Sequence, residues 1–139
     1  MKLLVTGGAG FIGSNLAKTL ESDGHHVIVL DNLSSGSLEN LESFSGEIIQ
    51  GDILDDSVYA KCFGVDAVFH QAAITDTTVM DEDLMTQVNV NGSKKVLEFT
   101  VSQNAPFIYA SSAATYGAGG VPMRESDPMN PLNPYGVSK

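Results

Sequence analysis

The chain has 139 residues, 42% of them hydrophobic, and seven Lys and Arg against seventeen Asp and Glu give it a formal net charge of −10. This length predicts one domain with a real core, and the acidic charge argues against nucleic acid as a partner. No apolar run reaches the roughly 20 residues that span a bilayer, and the N-terminal apolar run is too short for a signal peptide.

The only cysteine, Cys62, cannot form an internal disulfide, which favours a reducing and therefore cytoplasmic setting. No histidine lies near Cys62 in sequence, so we predict a packed thiol rather than a nucleophile. The three histidines and the cysteine are not at ligand spacing, so we predict no metal site.

The stretch TGGAGFIG at residues 6–13 joins a predicted strand to a predicted amphipathic helix. Free N–H groups and the positive end of a helix dipole favour a pyrophosphate, and residues without Cβ let it reach the backbone. We predict that Gly7 and Gly8 form the tight turn, that Gly10 admits the phosphate, and that Gly13 packs the helix on the strand. Alone the pattern is weak, because a turn that only needs positive φ has the same glycines.

Strands and helices alternate along the chain. The predicted strands are residues 2–5, 26–30, 47–52, 66–70 and 107–110. A short helix is predicted up to Phe63 and a long one over residues 83–100, and residues 113–133 read as a loop. Gly92 inside the long helix costs about 1 kcal/mol relative to alanine, which predicts a close neighbour. The alternation predicts an α/β fold with a doubly wound, Rossmann-like parallel sheet.

Asp31 ends the second predicted strand, near the roughly 20-residue offset after the glycines at which an acid binds the adenosine ribose of NAD. An acid that solvates a strand end or caps a helix would look the same. Residues 32–37 contain no Lys or Arg that could neutralise a 2′-phosphate, which favours NAD over NADP.

Small residues follow the fourth predicted strand, where doubly wound sheets bind a flat ligand. Ala72 and Ala73 leave that room. His70 before them could act as a base, but a histidine at a strand end is more often only hydrogen-bonded there.

Tyr135 and Lys139 are spaced i, i+4, which on a helix places them on one face about 6 Å apart along the axis. A nearby cation stabilises a phenolate, which lets a tyrosine act as a general acid or base. Ser112, after the fifth predicted strand, could donate to the same substrate oxygen. Such pairs arise by chance on many helices. In a chain that also contains a dinucleotide-binding loop, a functional pair explains the spacing better than chance.

Six motifs carry a family resemblance: TGGAGFIGS at 6–14, GDILD at 51–55, FHQAA at 69–73, NVNGS at 89–93, YASSAATYG at 109–117 and NPYGVSK at 133–139. With them the chain resembles the extended short-chain dehydrogenase/reductases, most closely the NAD-dependent nucleotide-sugar epimerases and dehydratases. Some segments resemble ADP-glycero-manno-heptose 6-epimerase and others UDP-glucose 4-epimerase. Ala113, where a dehydratase would have an acid, favours an epimerase.

The resemblance implies a set of cofactor contacts. They are Gly7, Gly10, Phe11, Ile12, Gly13, Asp31, Asn32, Asp52, Ile53, Ala72, Asn89, Tyr135 and Lys139. The glycines would hold the pyrophosphate. Asp31 and Asn32 would bind the adenosine ribose, and Asp52 with Ile53 would bind the adenine. The implied catalytic residues are Ser112, which polarises the reacting hydroxyl, Tyr135, the base, and Lys139, which also holds the nicotinamide ribose.

Members of that family continue for roughly as many residues again, with a nucleotide-sugar domain. We therefore expect residues 1–139 to be an NAD-binding Rossmann domain that is incomplete at its C-terminus, lacks the substrate domain and is inactive alone. A homodimer or a complementing C-terminal chain is the expected assembly. The alternative is a non-catalytic NAD-binding regulatory module that acts with a partner chain.

Overall fold

The structure, a computed structural model, describes all of residues 1–139. It contains two compact units. The first, here called the sheet unit, comprises Met1–Ala72 and Gly92–Ala110, and the second unit comprises Ala73–Asn91 and Ser111–Lys139. The predicted assignment of all 139 residues to one domain with its substrate domain elsewhere stays a prediction.

The sheet unit contains five parallel strands in the order β3-β2-β1-β4-β5. The strands are β1 (Lys2–Thr6), β2 (His26–Asp31), β3 (Glu47–Gln50), β4 (Ala67–His70) and β5 (Phe107–Tyr109). Chain order reverses at β1, with β2 on one side and β4 on the other, which confirms the predicted doubly wound sheet. β3 ends earlier than predicted, because Asp52 begins a turn in which its carboxylate accepts the Leu54 N–H at 2.9 Å.

The central strands are buried on both faces, as their continuous apolar runs predicted. Leu4 of β1 and Ile28 of β2 are fully buried in the core on one face, and Val5 and Val29 are fully buried in the core on the other. Successive residues of a strand point to opposite faces, so each strand contributes to both cores.

Helix α1 (Phe11–Ser22) follows β1 and ends where the sequence predicted, since Gly24 has a φ of 85°. The helix predicted up to Phe63 is a 3-10 helix, Asp56–Lys61, whose first turn Asp55 caps by accepting the Ser57 N–H at 2.9 Å. None of the helices is both long and apolar enough to cross a membrane.

The helix predicted over residues 83–100 is not a regular α-helix. It consists of α2 (Glu82–Met85), a π-helical segment (Thr86–Gly92) and α3 (Ser93–Ser102). Asn89 is 1% exposed and Val88 is only half-buried, whereas the apolar pattern had placed Val88 on the buried face. Met85, Val96 and Phe99 of the predicted face are buried.

The second unit also contains helix α4 (Pro134–Ser138) and a 3-10 turn at Ala113–Thr115. The remainder of residues 113–133 is loop, as predicted. Gly136 of α4 lies close to this turn, because a Cβ there would be 2.7 Å from the Ala114 carbonyl oxygen.

The predicted close neighbour of Gly92 is Ile53, whose Cδ1 would be 2.5 Å from a Cβ at position 92. A Gly92→Ala variant is therefore expected to lose about 1–3 kcal/mol of unfolding free energy, measured by urea denaturation, because overpacking forces neighbours to shift. Ile53→Val removes the colliding methyl group. The double variant should lose less than the sum of the two single losses, whereas additive losses would contradict this contact.

Candidate functional site

The turn after β1 has the geometry of a ligand cradle. Gly7 has a φ of 66°, and a Cβ there would be 2.6 Å from the backbone nitrogen of Ala72, so only glycine fits. Gly10 caps α1 and would place a Cβ no closer than 3.3 Å to any neighbour. The turn is therefore closed by backbone at Gly7 and also tight at Gly10, and the predicted approach of a phosphate at Gly10 stays a prediction.

One of the predicted glycine roles needs correction. A Cβ at Gly13 would collide with the carbonyl oxygen of Gly7, so the close approach is between α1 and the turn rather than between α1 and the strand. Gly8 lies in the turn, as predicted, but it does not have positive φ, and its constraint is the Val29 side chain, whose Cγ1 would be 2.6 Å from a Cβ. The motif alone could not pair Gly8 with Val29.

The N-terminus of α1 is suited to an anion. Its first turn contains no acidic residue, and no side chain caps it. The first N–H groups of a helix have no partner inside the helix, and Phe11 and Ile12 lie in this turn with 83% and 67% of their surface exposed. A glycine cradle beside free helix donors fits the pyrophosphate of a dinucleotide.

Asp31 connects the turn to the loop after β2. Its side chain is 9% exposed, and Oδ2 accepts the Ala9 N–H at 2.9 Å while Oδ1 accepts the Leu33 N–H at 2.8 Å. Each carboxylate oxygen has a second lone pair, which can accept a hydrogen bond from a ligand hydroxyl. Sequence reasoning missed the contact with Ala9, because nothing local marks a bond between residues this far apart.

Asn32 and Asp52 are paired at the ends of neighbouring strands. Asn32 Nδ2 donates to Asp52 Oδ2 at 2.9 Å, which links the predicted ribose and adenine residues. The side chain of Ile53, next to Asp52, is 6% exposed and packs in the core. A contact between Ile53 and an adenine would therefore involve the backbone of Ile53 and not its side chain.

His70 lies under the turn, inside the sheet unit. It is 1% exposed, its Nδ1 lies 2.6 Å from Thr6 Oγ1, and its Nε2 lies 2.8 Å from Ser93 Oγ. The ring also stacks on Phe107 with centroids 5.6 Å apart. The hydrogen-bonded interpretation of His70 is confirmed.

Cys62 is fully buried, and its thiol lies 3.5 Å from the carbonyl oxygen of Val58. Burial raises the pKa of the Cys62 thiol to about 11, so the reactive thiolate is scarce at neutral pH. The prediction of a packed thiol is confirmed.

In the second unit, Tyr135 lies in the first turn of α4 and Lys139 directly follows the last residue of this helix. Asn133 caps the helix by accepting the Gly136 N–H at 2.7 Å, and Pro134 occupies the first turn. Lys139 Nζ is 6.0 Å from the centroid of the Tyr135 ring. Burial lowers the pKa of Lys139, because a half-buried ammonium loses hydration, and a negative charge on Tyr135 would offset that loss.

Ser112 and Asn89 are the remaining predicted site residues of the second unit. Ser112 is half-buried, and its Oγ accepts the Ala114 N–H at 3.1 Å, which caps the 3-10 turn. The Asn89 side chain bonds to Ile74 and Ser138. Its predicted contact with a cofactor stays a prediction.

Comparisons with known proteins agree on one family. Residues 3–139 match the family model described as the NAD dependent epimerase/dehydratase family. An ADP-L-glycero-D-manno-heptose-6-epimerase from Helicobacter pylori is 38% identical, with a TM-score of 0.92 over 99% of this chain and 47% of its own. A UDP-glucose 4-epimerase from Brucella ovis in complex with NAD is 36% identical, with a TM-score of 0.90 over 99% of this chain and 44% of its own.

An epimerase from Methanothermobacter thermautotrophicus is 40% identical, with a TM-score of 0.93 over 99% of this chain and 44% of its own. The chain therefore spans just under half the length of these structures.

Proposed function

Since the chain belongs to the NAD dependent epimerase/dehydratase family, we propose that it takes part in NAD-dependent epimerisation of a nucleotide sugar through a transient keto sugar. The observation that carries the proposal is the pair formed by Tyr135 of α4 and Lys139 at its C-terminal end, with Lys139 Nζ 6.0 Å from the Tyr135 ring centroid. A module that only binds NAD has no use for an ammonium held beside a phenol.

The sheet unit would hold the cofactor. Gly7, Gly10 and Gly13, with the N-terminus of α1, would bind the pyrophosphate, and Asp31 with Asn32 would bind the adenosine ribose. The nearly buried Asp31 carboxylate, with no cation in residues 32–37, disfavours a 2′-phosphate, so NAD is preferred to NADP. When bound, NAD supplies a nicotinamide that accepts a hydride and returns it.

The second unit would supply proton chemistry. Tyr135 as phenolate takes the proton of the reacting sugar hydroxyl, which becomes a carbonyl as its carbon loses a hydride. Lys139 stabilises the phenolate by its charge, and Ser112 donates a hydrogen bond to the sugar oxygen. The proton returns from Tyr135 when the opposite face of the keto sugar is reduced, so the groups end as they began.

Residues 1–139 would supply the cofactor-binding half, with sugar recognition outside them and no turnover alone. The support is that relatives with the same fold are about twice as long. A homodimer or a complementing chain would complete the enzyme. The nucleotide sugar would be UDP- or ADP-linked, since relatives of both kinds match.

The test has a binding arm and a turnover arm. Calorimetry on residues 1–139 should show NAD binding, with NADP at least about tenfold weaker, because a phosphate beside a carboxylate costs more than about 1.4 kcal/mol. Equal affinities would contradict the NAD preference. The turnover arm uses the polypeptide as its gene encodes it, here called the natural polypeptide. NMR of UDP-glucose, UDP-N-acetylglucosamine and ADP-glycero-manno-heptose should show an epimer after incubation with the natural polypeptide and none after incubation with residues 1–139.

Turnover by residues 1–139 would contradict their inactivity alone. NAD binding by the natural polypeptide with a stable partner and no epimer would instead favour the regulatory module.

A further inference from the structure

Tyr59 is a buried tyrosine of the sheet unit whose hydroxyl bonds the loop after β3, residues 51–55. It is 9% exposed, and its hydroxyl donates to the Ile53 carbonyl oxygen at 2.5 Å. Its ring stacks on Phe99 of α3, with centroids 5.0 Å apart. Burial raises the pKa of Tyr59 above its usual value, so the hydroxyl keeps its proton and stays a donor at neutral pH. A phenylalanine would fill the same space, so the hydrogen bond is what the tyrosine adds.

The backbone N–H of Ile53 takes part in no hydrogen bond of the chain, although the residue is only 6% exposed. Almost all buried backbone N–H groups are paired, so an unpaired one is a donor suited to a ligand. The preceding residue, Asp52, supplies an acceptor. Its carboxylate oxygens accept the Leu54 N–H and the Asn32 amide, each at 2.9 Å, and each oxygen keeps a second lone pair.

A donor next to an acceptor matches one edge of adenine, which presents the N1 acceptor beside the N6 amino donor. The Ile53 N–H would donate to N1, and the Asp52 carboxylate would accept from the amino group. Hypoxanthine reverses both groups, because its C6 carries a carbonyl oxygen and its N1 carries a proton. The two residues can therefore distinguish these bases, provided that the Ile53 N–H is held in one direction.

We propose that Tyr59 is a positioning residue for the purine base of the cofactor: by bonding the Ile53 carbonyl oxygen, its hydroxyl fixes the direction of the Ile53 N–H beside the Asp52 carboxylate. The carbonyl group and the N–H of one residue are joined through only two soft backbone dihedrals, so holding one restricts the other. The inference rests on the proposed function for the identity of the cofactor. It goes beyond that function in assigning base selectivity to Tyr59.

The test compares two dinucleotides by isothermal titration calorimetry on the natural polypeptide, freed of bound nucleotide. The wild type should bind NAD at least about tenfold more tightly than nicotinamide hypoxanthine dinucleotide, since hypoxanthine leaves polar groups of the site unpaired. Tyr59→Phe keeps the ring but not the hydroxyl, and it should reduce this ratio to less than about threefold. A Tyr59→Phe variant with the wild-type ratio, or a wild type that binds both dinucleotides equally, would overturn the inference.

Cys62→Ala is the matched control. Cys62 is a fully buried member of the same core and directly follows the 3-10 helix that carries Tyr59, but its thiol bonds Val58 and not the loop after β3. Urea denaturation should show a loss of stability in both variants, while only Tyr59→Phe should lose the preference for NAD. A ratio that falls equally in both variants would assign the effect to general destabilisation and would overturn the inference.

Hydrogen exchange tests the link without a cofactor. The Leu54 N–H donates to Asp52 Oδ1, and its exchange in the nucleotide-free polypeptide should accelerate about tenfold in Tyr59→Phe but not in Cys62→Ala. Unchanged exchange would overturn the inference. Epimer formation decides the proposed function separately: a polypeptide that forms no epimer but loses its NAD preference in Tyr59→Phe would support this inference and contradict that function.

Discussion

Gly13→Ala is expected to weaken NAD binding by residues 1–139 at least about a hundredfold, measured by isothermal titration calorimetry. The new Cβ collides with the carbonyl oxygen of Gly7, so α1 must move away from the turn. The loss of two hydrogen bonds from helix N–H groups to a pyrophosphate, each worth about 1.5–3 kcal/mol with a charged partner, accounts for that factor. Wild-type affinity in Gly13→Ala would show that the pyrophosphate does not use this turn.

The matched control is Gly24→Ala, at the other end of α1. Gly24 has a φ of 85° with no atom within 4 Å of a Cβ, so alanine there is strained by about 1–2 kcal/mol without a collision. Urea denaturation should show a loss of stability in both variants, but only Gly13→Ala should lose NAD. If both lost NAD equally, general destabilisation would explain the result better than the turn.

Tyr135→Phe is expected to lower kcat for epimerisation by the natural polypeptide about 10²–10⁴-fold, because the variant lacks the group that takes the sugar hydroxyl proton. NAD affinity should change only a few fold, since the pyrophosphate contacts are in the sheet unit. The measurement is initial rate by NMR at saturating nucleotide sugar, with calorimetry for NAD.

Tyr116→Phe is the control for this variant. Tyr116 is a half-buried tyrosine of the same unit, and its variant also loses one hydroxyl oxygen. The Tyr116→Phe enzyme should keep the full wild-type kcat. A Tyr135→Phe enzyme with more than about half the wild-type rate would remove Tyr135 from the mechanism, and with it the observation on which the proposed function rests.

Local pattern was enough to predict most elements. The apolar runs at β1 and β2 predicted buried strands because a strand covered on both faces has no polar side, and Gly24 predicted the end of α1 because a left-handed residue ends a helix. The single glycine within the long helix predicted a close contact, and Ile53 provides it. The i, i+4 spacing predicted that Tyr135 and Lys139 share a face.

The π-helical segment was missed, since its cause is not local. Asn89 contacts Met85 Sδ within its own helical run, but its other partners, the Ile74 backbone and Ser138, lie outside that run. A periodicity of 3.6 residues allows Val88 and Asn89 equally beside Met85, and the apolar pattern selected Val88 because it contains no signal for polar partners. The third strand is shorter than predicted for a local reason, a turn that the Asp52 carboxylate closes. An aspartate at this position allows such a turn but does not require it, so the sequence alone did not predict it.

By itself the sequence determined the doubly wound sheet, the glycine turn and the Tyr135–Lys139 pair, because periodicity, glycine and fixed spacing act within a few residues. Only the tertiary structure decided what the glycines pack against, that Asp31 accepts the Ala9 N–H, and that Asn89 bonds Ser138. Apart from the contact of Gly13 with Gly7, these contacts join residues far apart in the chain. Their free energy depends on where the backbone brings two groups together, which no local pattern specifies.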